Sequence, residues 1–264
     1  GEFKPTFAFP VSEFGRLQLK YTFQNADMKV GADVVGDGSI IAAEAARGKI
    51  SKSSIGYAYT YDTRDRGLDP TKGILLEFGQ DFGGVGGDYT FIKTSAKGVA
   101  ETKVFHEEIT LRAVLEGGHM YSPDRDSRVD DRFIVTARNI RGFDPFGIGP
   151  RQRGVSTVTG ESYDDALGGN YYAVARFEAE FPLGLPEELG ISGGLFYDVG
   201  SLWGLDDTSP AGIVSDDFAL RHVVGFAIFW DSVIGPLRFN FTKALQKEQF
   251  DREQTFDFTI SAKF

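Results

Sequence analysis

The 264-residue sequence contains no cysteine, so neither a disulfide framework nor a thiolate metal site can be built from it. Histidine is nearly as scarce. His106, His119 and His222 show no H-E-x-x-H pattern and no close ligand pairing, so no zinc site is arguable. No run of about 18 apolar residues occurs, which excludes a helical membrane protein. It leaves a membrane β-barrel open, because barrel strands need no such run. No G-x-S-x-G elbow is present to support hydrolase chemistry. The glycine-rich "FGGVGGD", Phe82 to Asp88, lacks the Gly-Lys-Ser/Thr of a phosphate loop and reads as a hairpin turn. The acid-rich "SPDRDSRVDDR", Ser122 to Arg132, lacks the EF-hand pattern and reads as a solvated loop. A basic surplus is missing too: the net charge of −10 argues against a nucleic-acid partner. Neither a metal nor another cofactor is therefore expected, and no enzymatic site.

What the chain does have is aromatic residues and glycine. There are 24 Phe, 10 Tyr and 33 Gly against only 2 Met, a composition of strand formers and tight turns. The terminal "TFDFTISAKF" places Phe256, Phe258, Ile260, Ala262 and Phe264 on one face and Asp257, Thr259, Ser261 and Lys263 on the other. The same period of two runs through "GRLQLKYTFQ", "SSIGYAYTYD", "NYYAVARFEAEF" and "GPLRFNFTKAL". About eleven such segments begin near Phe3, Phe14, Ser53, Gly73, Asp88, His106, Gly168, Leu189, Ala219, Gly235 and Thr255. No convincing amphipathic helix separates them, which disfavours βαβ folds.

Two all-β readings compete: a soluble sandwich or barrel with its apolar faces inward, and a transmembrane barrel with them outward. The polar face decides. A solvated surface would be rich in Lys and Glu, whereas this face mixes Gly, Ser, Thr, Asn, Gln and charges of both signs, as a crowded lumen would. Trp203 and Trp230 fall near strand ends, where an interfacial girdle would place them. Tight connections ("DTRDRGLDPTKG", "VIGPLR") alternate with long ones (Lys29 to Lys52, Tyr121 to Gly168). The expectation is an antiparallel transmembrane β-barrel. An odd strand count is unusual for bacterial barrels, so either a strand escapes this reading or the chain is the C-terminal part of a larger barrel.

The longest connection, 121–168, carries the basic, glycine-broken stretch "RNIRGFDPFGIGPR", Arg138 to Arg151. A loop of this length without structure of its own is usually functional or disordered. Its Gly and Pro content suits a folded-back tip that presents Arg141. In a polar lumen that guanidinium would need carboxylate partners. Period two points Glu178 and Asp198 inward on the next two strands, within reach of such a tip. The alternative is a surface-loop arginine with two ordinary lumen acids.

These residues carry a resemblance. "IRGF", Ile140, Arg141, Gly142 and Phe143, followed by "GIGPR", resembles the signature loop of the BamA-type outer-membrane assembly factors. The segments "SSIGYAYTYDTRDRGLDPTKG", "GGNYYAVARFEAEFP", "GLFYDVGSLW", "GPLRFNFTKAL" and "FDFTISAKF" fall in the order of that family's barrel strands. The resemblance covers residues 1–264. It implies a barrel of about sixteen strands, of which this chain would be the C-terminal eleven, with periplasmic repeat domains outside it. It also implies that the loop folds into the barrel and that Arg141 pairs with Glu178 and Asp198. The implied activity is insertion of nascent β-barrel proteins into the outer membrane of a Gram-negative-type bacterium, without nucleotide hydrolysis. It would act at a weak seam edged by the last strand (Phe256, Phe258, Ile260), with Phe264 as a terminal assembly signal. Nascent barrels, outer-membrane lipids and accessory lipoproteins, reached mainly through the periplasmic domains, are the implied partners. A two-partner secretion transporter or a TamA-like relative would share the fold.

Overall fold

The computed structural model describes residues 2–29, 38–64, 72–157, 159–233 and 235–260. Along the chain the elements are β1 (Glu2–Phe3), β2 (Thr6–Pro10), β3 (Gly15–Ala26), α1 (Ile40–Ala46), β4 (Ile50–Asp62), β5 (Lys72–Gly83), β6 (Ile92–Val104) and β7 (Ile109–Tyr121). There follow β8 (Arg151–Val155), β9 (Ser162–Ala166), β10 (Tyr171–Pro182), β11 (Ile191–Trp203), β12 (Ile213–Val214), β13 (Arg221–Ser232), β14 (Gly235–Gln246) and β15 (Phe256–Ile260). One sheet runs β1-β3-β4-β5-β6-β7-β10-β11-β13-β14-β15, with β2 also on β3, and every pair is antiparallel. Since β1 and β2 occupy the same edge of β3, the wall has the eleven positions that the alternation indicates. Among the described residues its two ends do not pair with each other.

The period of two predicts which side each residue faces, and the exposures agree with an inside-out barrel. Phe7, Ile55, Leu76, Phe78, Leu115, Phe177, Leu195 and Phe226 stand open on the outer surface. An apolar surface this continuous would aggregate in water and is stable against lipid. A row of amphipathic groups runs across the wall from strand to strand. Tyr57, Gln80, Thr94, His119, Tyr171 and Trp203 lie opposite one another in turn from β4 to β11. The Tyr57 hydroxyl donates to Gln80 Oε1 (2.7 Å), His119 stacks on Tyr171 (4.4 Å), and Tyr171 stacks on Trp203 (5.5 Å). Trp230 lies opposite Ile191, at the other end of β11 from Trp203. Twelve residue steps of about 3.3 Å, tilted by about 40°, separate the two girdles by roughly 30 Å, close to the thickness of a bilayer's hydrocarbon core. The inner surface is polar and ion-paired, as in Lys20–Asp81 (2.8 Å) and Arg112–Glu101 (2.7 Å).

Two elements depart from the sequence reading. α1 lies in the connection between β3 and β4, capped by Ser39, whose hydroxyl accepts from Ala42 N (3.2 Å). Seven residues of Ile, Ala and Glu are too few to show an amphipathic period. The 121–168 loop is not structureless either: β8 and β9 form a hairpin, joined by β12 into a small sheet. "RQRGV" and "SYDDA" are too polar and too short for alternation to mark them. Residues 30–37 of the Lys29–Lys52 connection, residues 65–71 of the Asp62–Gly73 connection, residue 234 and Phe264 lie outside the described residues.

Candidate functional site

The connection between β7 and β10 is held at its base by a backbone bridge between Phe133 and Gly169. A turn at Thr136–Asn139 follows, in which Asn139 and Ile140 amides donate to Thr136 O (2.9 and 3.0 Å). Asn139 Nδ2 then reaches Glu116 on β7 (2.9 Å), which orients the next residues toward the wall. Gly142 makes the reversal possible. Its φ is +90°, and a Cβ there would sit 2.8 Å from Val223 Cγ1.

Arg141 is thereby laid across β10 and β11. Its Nε donates to Asp198 Oδ2 (2.7 Å), its Nη2 to Asp198 Oδ1 (2.5 Å), and its backbone amide to Asp198 Oδ2 (3.0 Å). The remaining arm, Nη1, donates to Glu178. The guanidinium carbon lies 3.6 Å from the ring centre of Phe196, so the plane is stacked as well as forked. Glu178 is shared: Arg238 Nη1 donates to its Oε1 (3.1 Å) and Arg112 Nη1 approaches the same oxygen (3.4 Å). Arg112 also holds Glu101 through Nε (2.7 Å). Three guanidinium groups thus face three carboxylates, and the cluster is neutral. Burial pushes the Arg141 guanidinium toward deprotonation, but the hydrogen bonds and charges of Asp198 and Glu178 outweigh it and hold it above its ordinary value.

The hook is also an apolar plug. Ile140, Phe143 and Ile148 are buried against Val174 of β10, Leu202 of β11 and Val223 of β13, with Val135 and Tyr172 alongside. Each large side chain taken fully from water contributes roughly 1.5–3 kcal/mol. The arginine fixes direction and the plug supplies stabilisation. This arrangement can hold a loop rigidly to a wall; it has no nucleophile–base pair. Among the described residues no group of histidine and acidic side chains converges as a metal site.

The structure therefore places Ile140, Arg141, Gly142, Phe143, Glu178 and Asp198 together. Phe256, Phe258 and Ile260 stand apart from them on the outer side of β15, opposite Phe241, Phe239 and Leu237 of β14. Phe264 lies outside the described residues. Sequence reasoning missed Phe196 and Arg238. A signal for Phe196 exists: it is an aromatic residue in the polar phase of "GGLFYDVG", where a lumen residue belongs.

The Omp85 superfamily domain matches residues 1–264. The outer membrane protein assembly factor BamA of Neorickettsia risticii is 34% identical over 233 residues, 88% of this chain and 30% of that protein. BamA of Nitratidesulfovibrio vulgaris is 29% identical over 269 residues, 98% of this chain and 31% of its own. The human sorting and assembly machinery component 50 homolog is 29% identical over 147 residues, 55% of this chain and 29% of its own. The chain spans about a third of the length of the curated relatives it matches. Among solved structures, BamA from Haemophilus ducreyi lacking POTRA domains 1–3 superposes with a TM-score of 0.73 at 18% identity, covering 97% of this chain and 52% of that one, and so shares the fold. With the domain matched from end to end on an antiparallel barrel wall, the chain belongs to the Omp85 superfamily.

Proposed function

We propose that this chain forms the C-terminal part of the barrel of an outer-membrane protein assembly factor, with periplasmic repeat domains elsewhere in its protein. It folds and inserts nascent β-barrel proteins in the outer membrane of a Gram-negative-type bacterium without nucleotide hydrolysis. Nascent barrels and outer-membrane lipids are its direct partners, and accessory lipoproteins bind mainly to the periplasmic domains.

The observation that carries this reading is the contrast between the two halves of the wall. The β7–β10–β11–β13 face is braced from inside by the hook and its neutral ion cluster. Among the described residues the last strand, β15, pairs with β14 from Leu237–Ile260 to Phe241–Phe256. Its other side is the seam, whose opposite strand lies in the part of the barrel proposed to be outside this chain. Unpaired backbone N–H and C=O groups in hydrocarbon cost several kcal/mol each, so an edge opened at the seam gains most by receiving another strand. Strand addition uses main-chain bonds and is indifferent to most side chains, as suits a factor with many clients.

The test places Arg141→Glu in the only copy of the protein in its host and quantifies all outer-membrane barrels by mass spectrometry after wild-type shut-off. A broad fall across unrelated barrels is expected. Loss of a single secreted protein, with porins level, would instead mark a dedicated secretion transporter.

A further inference from the structure

Two residues outside the hook draw notice at the point where the last strand begins. Arg221, at the start of β13, donates from Nε and Nη2 to both oxygens of Asp251 (2.8 and 3.0 Å), and both side chains are fully buried. Asp251 Oδ2 also accepts from the Glu248 amide (2.8 Å), closing the turn between β14 and β15. The residues that follow Asp251 do not simply enter the sheet. The hook and this turn exchange backbone bonds: Gln254 N donates to Gly142 O (3.0 Å), Asp144 N to Arg252 O (2.9 Å), and Arg252 N to Gly147 O (2.9 Å). Phe143 and Glu253 form an antiparallel bridge between them. Gly147 allows the approach, since a Cβ there would lie 2.7 Å from Arg252 O. Arg252 Nη2 adds a contact to Asp164 on β9 (3.1 Å), and Arg153 on β8 lies over the Phe250 ring (4.2 Å). On the sheet side, Thr242 N donates to Thr255 O (2.9 Å) and Thr242 Oγ1 to Gln254 O (2.8 Å).

We propose that Asp251 and Arg221 are positioning residues for the last strand, and that their ion pair and the Arg141 lock form one clamp on its first residues. The two locks flank the same backbone bonds. Arg141 immediately precedes Gly142, whose carbonyl holds Gln254, and Asp251 immediately precedes Arg252, which is held from both sides by Asp144 and Gly147. Releasing either lock frees the same strip of paired backbone, so the hook and the root of β15 loosen together. The seam edge of β15 is thereby anchored at its beginning, and any movement of that edge is confined to the part beyond Thr255. This inference concerns the mechanics of the chain and stands whether or not client strands add to the edge.

The test is amide hydrogen exchange with mass spectrometry on the protein in lipid nanodiscs, comparing Arg141→Ala, Asp251→Asn and the double variant with wild type. Each single variant is expected to speed exchange at least tenfold in both segments, 142–147 and 252–255. The double variant is expected to exceed the faster single variant by less than threefold, because the locks guard one opening event. Exchange in β5 and β6 is expected to stay within twofold of wild type. Where Arg141→Ala does not yield a folded barrel, Asp198→Asn releases the same lock and gives the same comparison. Native protection of 252–255 in the Arg141 variant would overturn the clamp. So would a uniform rise in β5 and β6, since that reports general destabilisation.

Discussion

Asp198 and Glu178 both hold Arg141, and the structure makes them unequal. Asp198 is 0% exposed and receives three bonds, all from Arg141. Its replacement by Ala leaves a cation, with two guanidinium nitrogens and a backbone amide unpaired, where water does not reach. Breaking a buried pair in this way destabilises by about 3–5 kcal/mol. Glu178 serves three arginines, but Arg238 keeps Asn240 (2.7 Å) and Arg112 keeps Glu101. The side chains of Arg238 and Arg112 are 17% and 37% exposed, so water can satisfy much of what Glu178 leaves behind. A loss of about 1–3 kcal/mol follows for Glu178→Ala, from unpaired donors that water partly restores. The difference, about 2 kcal/mol, is roughly a thirtyfold ratio in the hook's opening constant. Amide exchange over 139–147 in nanodiscs reads that constant directly. Asp198→Ala is expected to exchange about 10²- to 10⁴-fold faster than wild type, and Glu178→Ala clearly less. Equal effects, or a larger one from Glu178, would refute the argument that burial rather than partner number sets the strength of the lock.

Other consequences follow from the same geometry. Gly142→Ala forces an L-residue to φ +90° with its Cβ against Val223, and is expected to lower hook stability by about 1–3 kcal/mol, read as faster exchange over 139–147. Phe143→Ala empties the plug and is expected to cost about 3–5 kcal/mol, seen as a lower thermal unfolding midpoint by circular dichroism in detergent. Trp203 and Trp230 at opposite rims should both be quenched by shallow brominated lipids; strong quenching of either by deep bromines would contradict the girdle assignment. Burial raises the Asp164 carboxyl, but hydrogen bonds from Arg151 and Arg252 outweigh it and hold it below its ordinary value. Its contribution to the loop is therefore full above about pH 4 and lost as pH falls through the lower folded value. Protection factors at 162–166, corrected for the intrinsic pH dependence of amide exchange from pH 6 down to 3, should fall only at the acid end.

The wall was legible because a barrel strand carries a two-residue period for its whole length. "FDFTI" and "NYYAVARFEAEF" announce their outer faces without reference to any neighbour. The inward orientation of Glu178 and Asp198 was legible for the same reason. What the period cannot register is the loop's own packing. Val174, Leu202 and Val223 sit in the polar phase of their strands because the hook, and not water, covers them. An alternation that ought to read polar reads apolar there, a signal interpretable only once a lumen plug is in place. The hairpin β8–β9 and the helix α1 are too short for any period to emerge. The pairing of the hook with residues 252–254 uses backbone alone, across more than a hundred residues of sequence, and leaves no side-chain mark except the glycine at 147.

The central claim, that the β15 edge receives client strands while the latched wall stays shut, is tested most directly by site-specific crosslinking. This chain has no cysteine of its own, so an introduced thiol is the sole one within it. Single cysteines at Thr259 on β15, or at lumen positions Lys97 and Glu101 on β6, are paired with a cysteine scan of a client barrel stalled during assembly. Disulfides confined to Thr259 and recurring at every second client residue are the expected result. Disulfides at Lys97 and Glu101 without that alternation would mean that the client threads the lumen, and would contradict the account.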